Sequence, residues 1–248
     1  MVQASEKRHW DRFWESSQNL DEVYANDGRI VDFLSPRVDF SGLKVLEVGA
    51  GTGRDSDAIA ARGAEVWTLD YSEQSLKLMS DTLTQSIHIV CGDALALPVA
   101  SESFDVVFHQ GLLEHFRDPS RLLAENQRIL KQGGLLLVDV PQRFHYYTLA
   151  KHFLMFLDRW FAGWETEFSV RELEKLVADQ GFEIVGMYGH NLYPPIWYRA
   201  LHKLLLRAGI RIPMNPPGSG FVNGVRRLIP PSVRLSTSMV IGCLGKKR

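Results

Sequence analysis

Short apolar runs alternate with amphipathic stretches through the first 140 residues. The runs are Lys44–Val48, Glu65–Asp70, Ile87–Val90, Phe104–Phe108 and Leu135–Val140, and none shows strict polar alternation. Such runs read as strands buried on both faces, the mark of a parallel sheet. Between them lie stretches with helical signals. Asp55–Arg62 is closed by Gly63, Ser72–Leu83 opens on Ser72 as an N-cap, and Pro119–Leu130 stops at Gly133-Gly134. This alternation predicts an α/β fold with right-handed crossovers. Upstream, residues 5–20 read as a helix with Trp10, Phe13 and Trp14 on one side, and Gly28 and Pro36 punctuate a second short helix.

After Pro141 the pattern changes. Residues 145–164 are densely aromatic and apolar. Ser169–Gln180 is an amphipathic helix with a capping box, Ser169 and Glu172, and Gly181 ends it. Phe182–Tyr188 and Ser236–Leu244 read as strands. The connection between them, 191–234, is rich in Pro and Gly and holds one clear helix, Ile196–Ala208. A connection of that length is unusual and tends to be functional. The expected organisation is an N-terminal helical cap (1–40), an α/β core (41–142), an aromatic cap insertion (143–168) and a C-terminal part (169–248) carrying a basic helical insertion at 189–235.

The first strand runs into the loop Gly49-Ala50-Gly51-Thr52-Gly53. Glycine at a strand-to-helix turn lets the backbone bend tightly and approach a ligand, and the helix N-terminus behind it favours a negative group. Glycine spacing alone fits any nucleotide. Two carboxylates narrow it. Asp70 ends the second strand, where it can hold ribose hydroxyls, and Asp93 follows the third, within reach of an adenine amino group. A nicotinamide dinucleotide wants G-x-G-x-x-G; here Arg54 stands where that spacing would place its third glycine.

At this point the chain resembles the class I S-adenosylmethionine-dependent methyltransferases, in their small-molecule branch. The resemblance rests on Val45–Gly53, Leu69–Ser72, Gly92–Ala94, Phe104–Val107, Leu113–Phe116 and Leu130–Gly134, in order. It implies a Rossmann-like, seven-stranded, mostly parallel sheet with helices on both faces, an antiparallel last strand and helical cap insertions. It implies S-adenosylmethionine as cofactor, with Gly49, Ala50, Gly51 and Gly53 at its amino-acid end and Glu47 supporting the loop or reaching the amino group. By the same resemblance Asp70 binds ribose, Tyr71 and Ala94 flank the adenine, Asp93 meets its amino group, and Gln110 and Gly111 line the methionine portion.

Methyl transfer from a sulfonium is an in-line displacement, and a general base helps when the acceptor is a hydroxyl or an acidic carbon. His109 and His145, at strand ends, are the candidates, with His115 behind them; no metal-ligand spacing occurs. A non-catalytic S-adenosylmethionine- or adenosine-binding module, or a peripheral membrane-binding protein, is the competing class.

Composition adds an asymmetry. Residues 184–248 contain no Asp or Glu and ten Lys or Arg, so with a whole-chain charge of −1, residues 1–183 carry −11. Near-neutrality overall argues against a nucleic-acid partner. In Ile196–Ala208, Arg199, Lys203 and Arg207 share one face, and Trp197, Leu201, Leu204, Leu205 and Ala208 the other. That helix is a candidate lid over the substrate, a candidate contact with an anionic membrane surface, or a site where cations hold a phosphate or carboxylate on the acceptor. The aromatic cap points to a lipophilic or lipid-linked acceptor. Two distant cysteines, no signal-peptide pattern and no spanning apolar run fit a cytoplasmic protein with surface membrane association as an option.

Overall fold

The structure, a computed structural model, describes residues 7–16, 28–157, 165–191, 196–207, 209–210, 212 and 229–248. Helix α1 (Lys7–Ser16) and α2 (Arg29–Leu34) precede β1 (Lys44–Val48). Then follow α3 (Arg54–Ala60), β2 (Glu65–Asp70), α4 (Glu73–Thr82), β3 (Ile87–Cys91) and β4 (Phe104–Gln110). A single 3-10 turn, Leu113–His115, leads to α5 (Pro119–Ile129), β5 (Leu130–Pro141) and α6 (Tyr146–Phe156). The chain closes with α7 (Val170–Asp179), β6 (Phe182–His190), α8 (Ile196–Arg207), α9 (Pro231–Ser236) and β7 (Val240–Lys247).

The seven strands form one sheet in the order β3-β2-β1-β4-β5-β7-β6. Pairings from β3 to β5 are parallel, while β7 lies antiparallel between β5 and β6. The predicted fold class therefore holds, including the reversed last strand. Each face of the sheet has its own core. Ile30 and Leu34 of α2 and Ile59 of α3 pack on Val45, Val66 and Phe108. Leu122, Leu123 and Ile129 of α5 and Leu173 and Val177 of α7 pack on Val107, Val138 and Cys243 across the other face. Burial on both faces is why the strands read as continuous apolar runs. Strand order reverses between β1 and β4. In such a sheet a crevice opens outside the carboxyl ends of the strands at that switch point.

Local signals explain the helix ends. Ser72 Oγ accepts from Ser75 N, and the Ser169–Glu172 capping box is complete, with Ser169 N donating to Glu172 Oε2 at 2.8 Å. Two assignments change. The stretch beginning at Ser236 is not yet strand: α9 ends there and β7 starts at Val240. Pro231 at the first helical position presets the backbone for a helix, and Thr237 Oγ1 and Ser238 Oγ then bond to the Val233 and Arg234 carbonyls. The second is β5, which begins at Leu130 and runs through Gly133, where φ is +73°; the β4–β5 register shifts between Phe104 and Val106. Residues 145–164, without an element in the sequence pattern, contain α6, capped by His145 Nδ1 accepting from Tyr147 N at 3.2 Å.

One close approach fixes a side chain near the crevice. A Cβ at Gly242 would lie 1.9 Å from Tyr188 Cε1, so β7 must be bare there for the Tyr188 ring to lie across it.

Candidate active site

At the switch point the sequence builds a cleft from the ends of β1, β2 and β4. Its wall contains Glu47, Gly49, Ala50, Gly51, Asp70, Tyr71, Asp93, Ala94, Gln110 and Gly111. Those are ten of the eleven residues expected at a cofactor. The eleventh, Gly53, does not line the cleft. It caps α3 in the left-handed region, φ +66°, and a Cβ there would meet Met79 sulfur at 3.0 Å.

The glycines permit contact from outside. A Cβ on Gly49 would fall 2.9 Å from Leu112, and one on Gly51 would fall 2.7 Å from Trp14. Trp14 and Trp10 come from α1, which lies over the cleft. Three polar ties dock it on the start of α4: Ser72 Oγ donates to Asp11 at 2.7 Å, Lys7 pairs with Glu73 at 2.6 Å, and Gln74 reaches Glu15. Trp10 meets His115 edge-on, centroids 4.9 Å apart.

Three buried carboxylates stand along the loop. Asp70 accepts from Gly51 N at 2.8 Å and from Ser72 N at 2.9 Å, so it fastens the glycine loop to β2. Burial raises its pKa despite these bonds. A carboxylate has about four acceptor positions, which leaves capacity for further donors. Glu47 accepts from Ser56 Oγ at 2.5 Å, and burial together with neighbouring Asp55 pushes its carboxyl well above the usual range. Asp55, in the first turn of α3, is buried and lines the cleft too. Asp93 is exposed and turns the chain by accepting from Leu95 N.

Gln110 links this group to a second one. Its amide donates to Asp55 Oδ2 at 3.2 Å and accepts from Arg29 at 2.8 Å. Arg29 donates to Asp139 from Nη2 at 3.0 Å and from Nε at 3.2 Å, and Tyr188 OH donates to Asp139. Sequence reasoning missed Arg29, Asp55, Asp139 and Tyr188. Asp139 carried a signal, as the one charge inside the apolar run Leu135–Val140.

On the opposite side of Gly111, the turn Leu113–His115 carries Glu114 and His115. His115 lines the cleft; Glu114 is buried just behind Gly111, and Thr166 N donates to the Glu114 carbonyl at 2.8 Å. Near it Lys151 of α6, fully buried, bonds Glu165 at 2.9 Å and Glu167 at 2.7 Å, and His152 also reaches Glu167 at 2.9 Å. Burial pulls the Lys151 pKa down, but the two carboxylates outweigh it and the net shift is upward.

The two histidines singled out by position do not meet the cleft wall. His109 points to the sheet's other face among Val107 and Val138 neighbours, is 0% exposed, and burial pulls its pKa down to about 3, leaving a neutral ring. The alternation of a strand sends Gln110, not His109, toward the ligand side. His145 is buried as the N-cap of α6. On the basic helix, the side chains of Trp197, Arg199, Lys203, Arg207 and Ala208 fall outside the described residues, as do Trp160 and Phe161; Leu201 and Leu204 are exposed.

Fold, glycine loop and carboxylates define a nucleotide-binding α/β protein, and known proteins give the family. A family profile described as a methyltransferase domain matches residues 46–138. The chain belongs to the class I S-adenosylmethionine-dependent methyltransferases. It is similar to a ubiquinone biosynthesis O-methyltransferase of Parvibaculum lavamentivorans, 31% identical over 163 residues, covering 62% of this chain and 64% of that one. It is also similar to one of that name in Cereibacter sphaeroides, 30% identical over 172 residues, 66% of this chain and 70% of that one. The chain thus spans just under two thirds of the first relative's length. In fold it matches a crystal structure of a SAM-dependent methyltransferase from Thermotoga maritima, TM-score 0.67 and 19% identity, over 97% of this chain and 99% of that one.

Proposed function

We propose that this chain transfers a methyl group from S-adenosylmethionine to a lipophilic, quinone-type phenol. The cleft carries the reading: a glycine cradle, three buried carboxylates and an aromatic wall meet at one switch point. The residues fit the cofactor. Glu47 and Asp55 give an acidic floor suited to a cationic ligand, and the bare Gly49 and Gly51 let backbone approach it. Asp70 has acceptor capacity left for ribose hydroxyls, Tyr71 and Ala94 would flank an adenine, and Asp93 would accept from its amino group. When bound, the cofactor supplies an electrophilic methyl on a good leaving group. The protein's part is to orient the acceptor in line with it and to exclude water. Trp10, His115 and Phe116 form the apolar wall against which an aromatic acceptor would lie.

The acceptor class follows from that wall and from the names of the relatives. Incubation with labelled S-adenosylmethionine and a short-chain prenylated catechol is expected to yield methyl ether. Tight cofactor binding with no turnover on the catechol or on a lipid extract would make the chain a binding module instead.

Access to a lipophilic acceptor at a membrane surface belongs to the same reading. Leu149, Phe153 and Phe156 project from α6 with 74%, 63% and 85% exposure, and the acid-free stretch 184–248 supplies cations. Among the described residues no helix is long and apolar enough to cross a membrane. Vesicles containing phosphatidylglycerol are expected to sediment the protein. The triple change Arg199→Glu, Lys203→Glu, Arg207→Glu should release it, and equal sedimentation of both would exclude the basic helix.

A further inference from the structure

We infer that Glu114 is the general base that accepts the proton of the acceptor's hydroxyl. The inference rests on the reading of the acceptor as a phenol.

Glu114 is 3% exposed, and its Oε2 has no hydrogen-bond partner among the described residues. A buried carboxylate oxygen without a donor is costly and rare, and such groups gather where chemistry needs them. The carboxyl is next to the cleft. A Cβ built on Gly111 would have Glu114 Oε1 at 3.6 Å and no other heavy atom within 4 Å apart from its chain neighbours. Gly111 lines the cleft, so the missing side chain leaves the way from carboxyl to acceptor open. Any larger residue at 111 would stand between them.

The surroundings hold this carboxyl in place and tune it. Its backbone is tied to the strap 165–168 by Thr166 N, and that strap is fixed by Lys151 through Glu165 and Glu167. Burial and then Glu165 push the Glu114 pKa well above the usual range; Lys151 pulls the other way and Asp139 adds to the rise. A carboxylate made more basic by its site is a better proton acceptor near neutral pH. Glu114 stands one residue back from the cleft wall, behind the bare Gly111, whereas His109 is buried in the sheet, His145 caps α6, and His115, which does line the cleft, stands edge-on to Trp10.

In the step, the acceptor's O–H bond breaks and its proton passes to the Glu114 carboxylate. The oxygen's electron pair forms the new bond to the methyl carbon. The carbon–sulfur pair stays with sulfur, which loses its positive charge.

The test is Glu114→Gln on the full chain, with the prenylated catechol as acceptor. The expected loss in kcat is about 100-fold or more, while the acceptor's KM changes less than about twofold, as expected when an interaction of the transition state alone is removed. Acceptor affinity without methyl donor, followed by quenching of tryptophan fluorescence, should be unchanged. The variant's kcat should then climb tenfold per pH unit as the phenol ionises by itself, while the parent reaches a plateau; a structural defect would not be rescued this way. Glu114→Asp, which keeps a carboxylate, should recover part of the rate, and should still report through a shifted pH limb if the Gln variant fails to fold. A parent active on the catechol with an E114Q kcat within threefold, or with a loss that is flat in pH, overturns the base and leaves the function standing. A pH-rescued loss in His115→Asn with none in E114Q moves the role to His115. A parent inactive on every phenol overturns both readings.

Discussion

Two buried acidic clusters, one in the cleft wall and one behind it, are satisfied in opposite ways. On the cofactor side, Glu47 and Asp70 are held by neutral donors: the Ser56 hydroxyl and the Gly51 and Ser72 backbone N–H groups. On the far side, Glu165 and Glu167 close around the Lys151 ammonium with only 6% and 11% of their side chains exposed. Neutral donors orient carboxylates without cancelling their charge, so the first cluster keeps a field for a cationic ligand. The second cluster spends one of its two negative charges on Lys151 and serves to hold the strap 165–168. One is built to bind and the other to stay shut.

Removing the cation of the second cluster is the strongest way to break this contrast. Lys151→Met removes the buried ammonium that two carboxylates share, a change that costs about 3–5 kcal/mol. Denaturant titration should show the loss at neutral pH. Converting all three groups together, Lys151→Met with Glu165→Gln and Glu167→Gln, should recover most of it, because the ion pairs repay little more than their own desolvation. A single variant as stable as the parent would mean that the cluster is solvated and structurally idle.

The two clusters also differed in how far sequence could reveal them. The cofactor side is local: Gly49, Gly51, Asp70 and Asp93 sit at strand ends, and a parallel sheet brings successive strand ends to one edge. Period and punctuation were therefore enough to place the glycine loop, Asp70 and Asp93, and the family resemblance supplied Glu47, Tyr71, Ala94, Gln110 and Gly111. The far side is assembled by packing. Lys151 meets Glu165 across 14 positions, and on the cofactor side Asp139 meets Arg29 across 110. No period encodes such pairs, although a lone lysine amid the apolar residues of α6 was a visible anomaly. His109 failed for a simpler reason. Being near a strand end does not decide which face a side chain takes, and one residue's shift turns it into the core.

On the cofactor side the expected effects are on binding. Asp70→Ala removes the acceptor assigned to the ribose and also frees Gly51 and Ser72. S-adenosylmethionine affinity, measured by calorimetry, should weaken by about 1.5–3 kcal/mol, the range for hydrogen bonds to a charged group. Affinity equal to the parent's would remove Asp70 from the site and with it much of the contrast, since the first cluster would then have only an internal role.

The smallest effect concerns Glu47 and tests whether its charge is held in reserve. Its folded pKa lies well above the ordinary value because burial and Asp55 disfavour the anion. Below the unfolded pKa, about 4.3, the group is protonated in both states and costs nothing. As pH rises toward and through the raised folded pKa, the unfolded chain ionises freely while the folded one resists, so stability is lost. Glu47→Gln cannot ionise and escapes that loss. Its melting temperature should match the parent's near pH 4 and exceed it increasingly toward pH 8, while cofactor affinity at pH 8 falls because the acidic floor has lost a charge. Saturating S-adenosylmethionine should narrow the gap in melting temperature, since a bound cation favours the Glu47 anion. A gap that does not vary with pH would mean that Glu47 ionises as readily in the folded chain as in the unfolded one, so that burial and Asp55 hold no charge in reserve and the contrast between the two clusters fails.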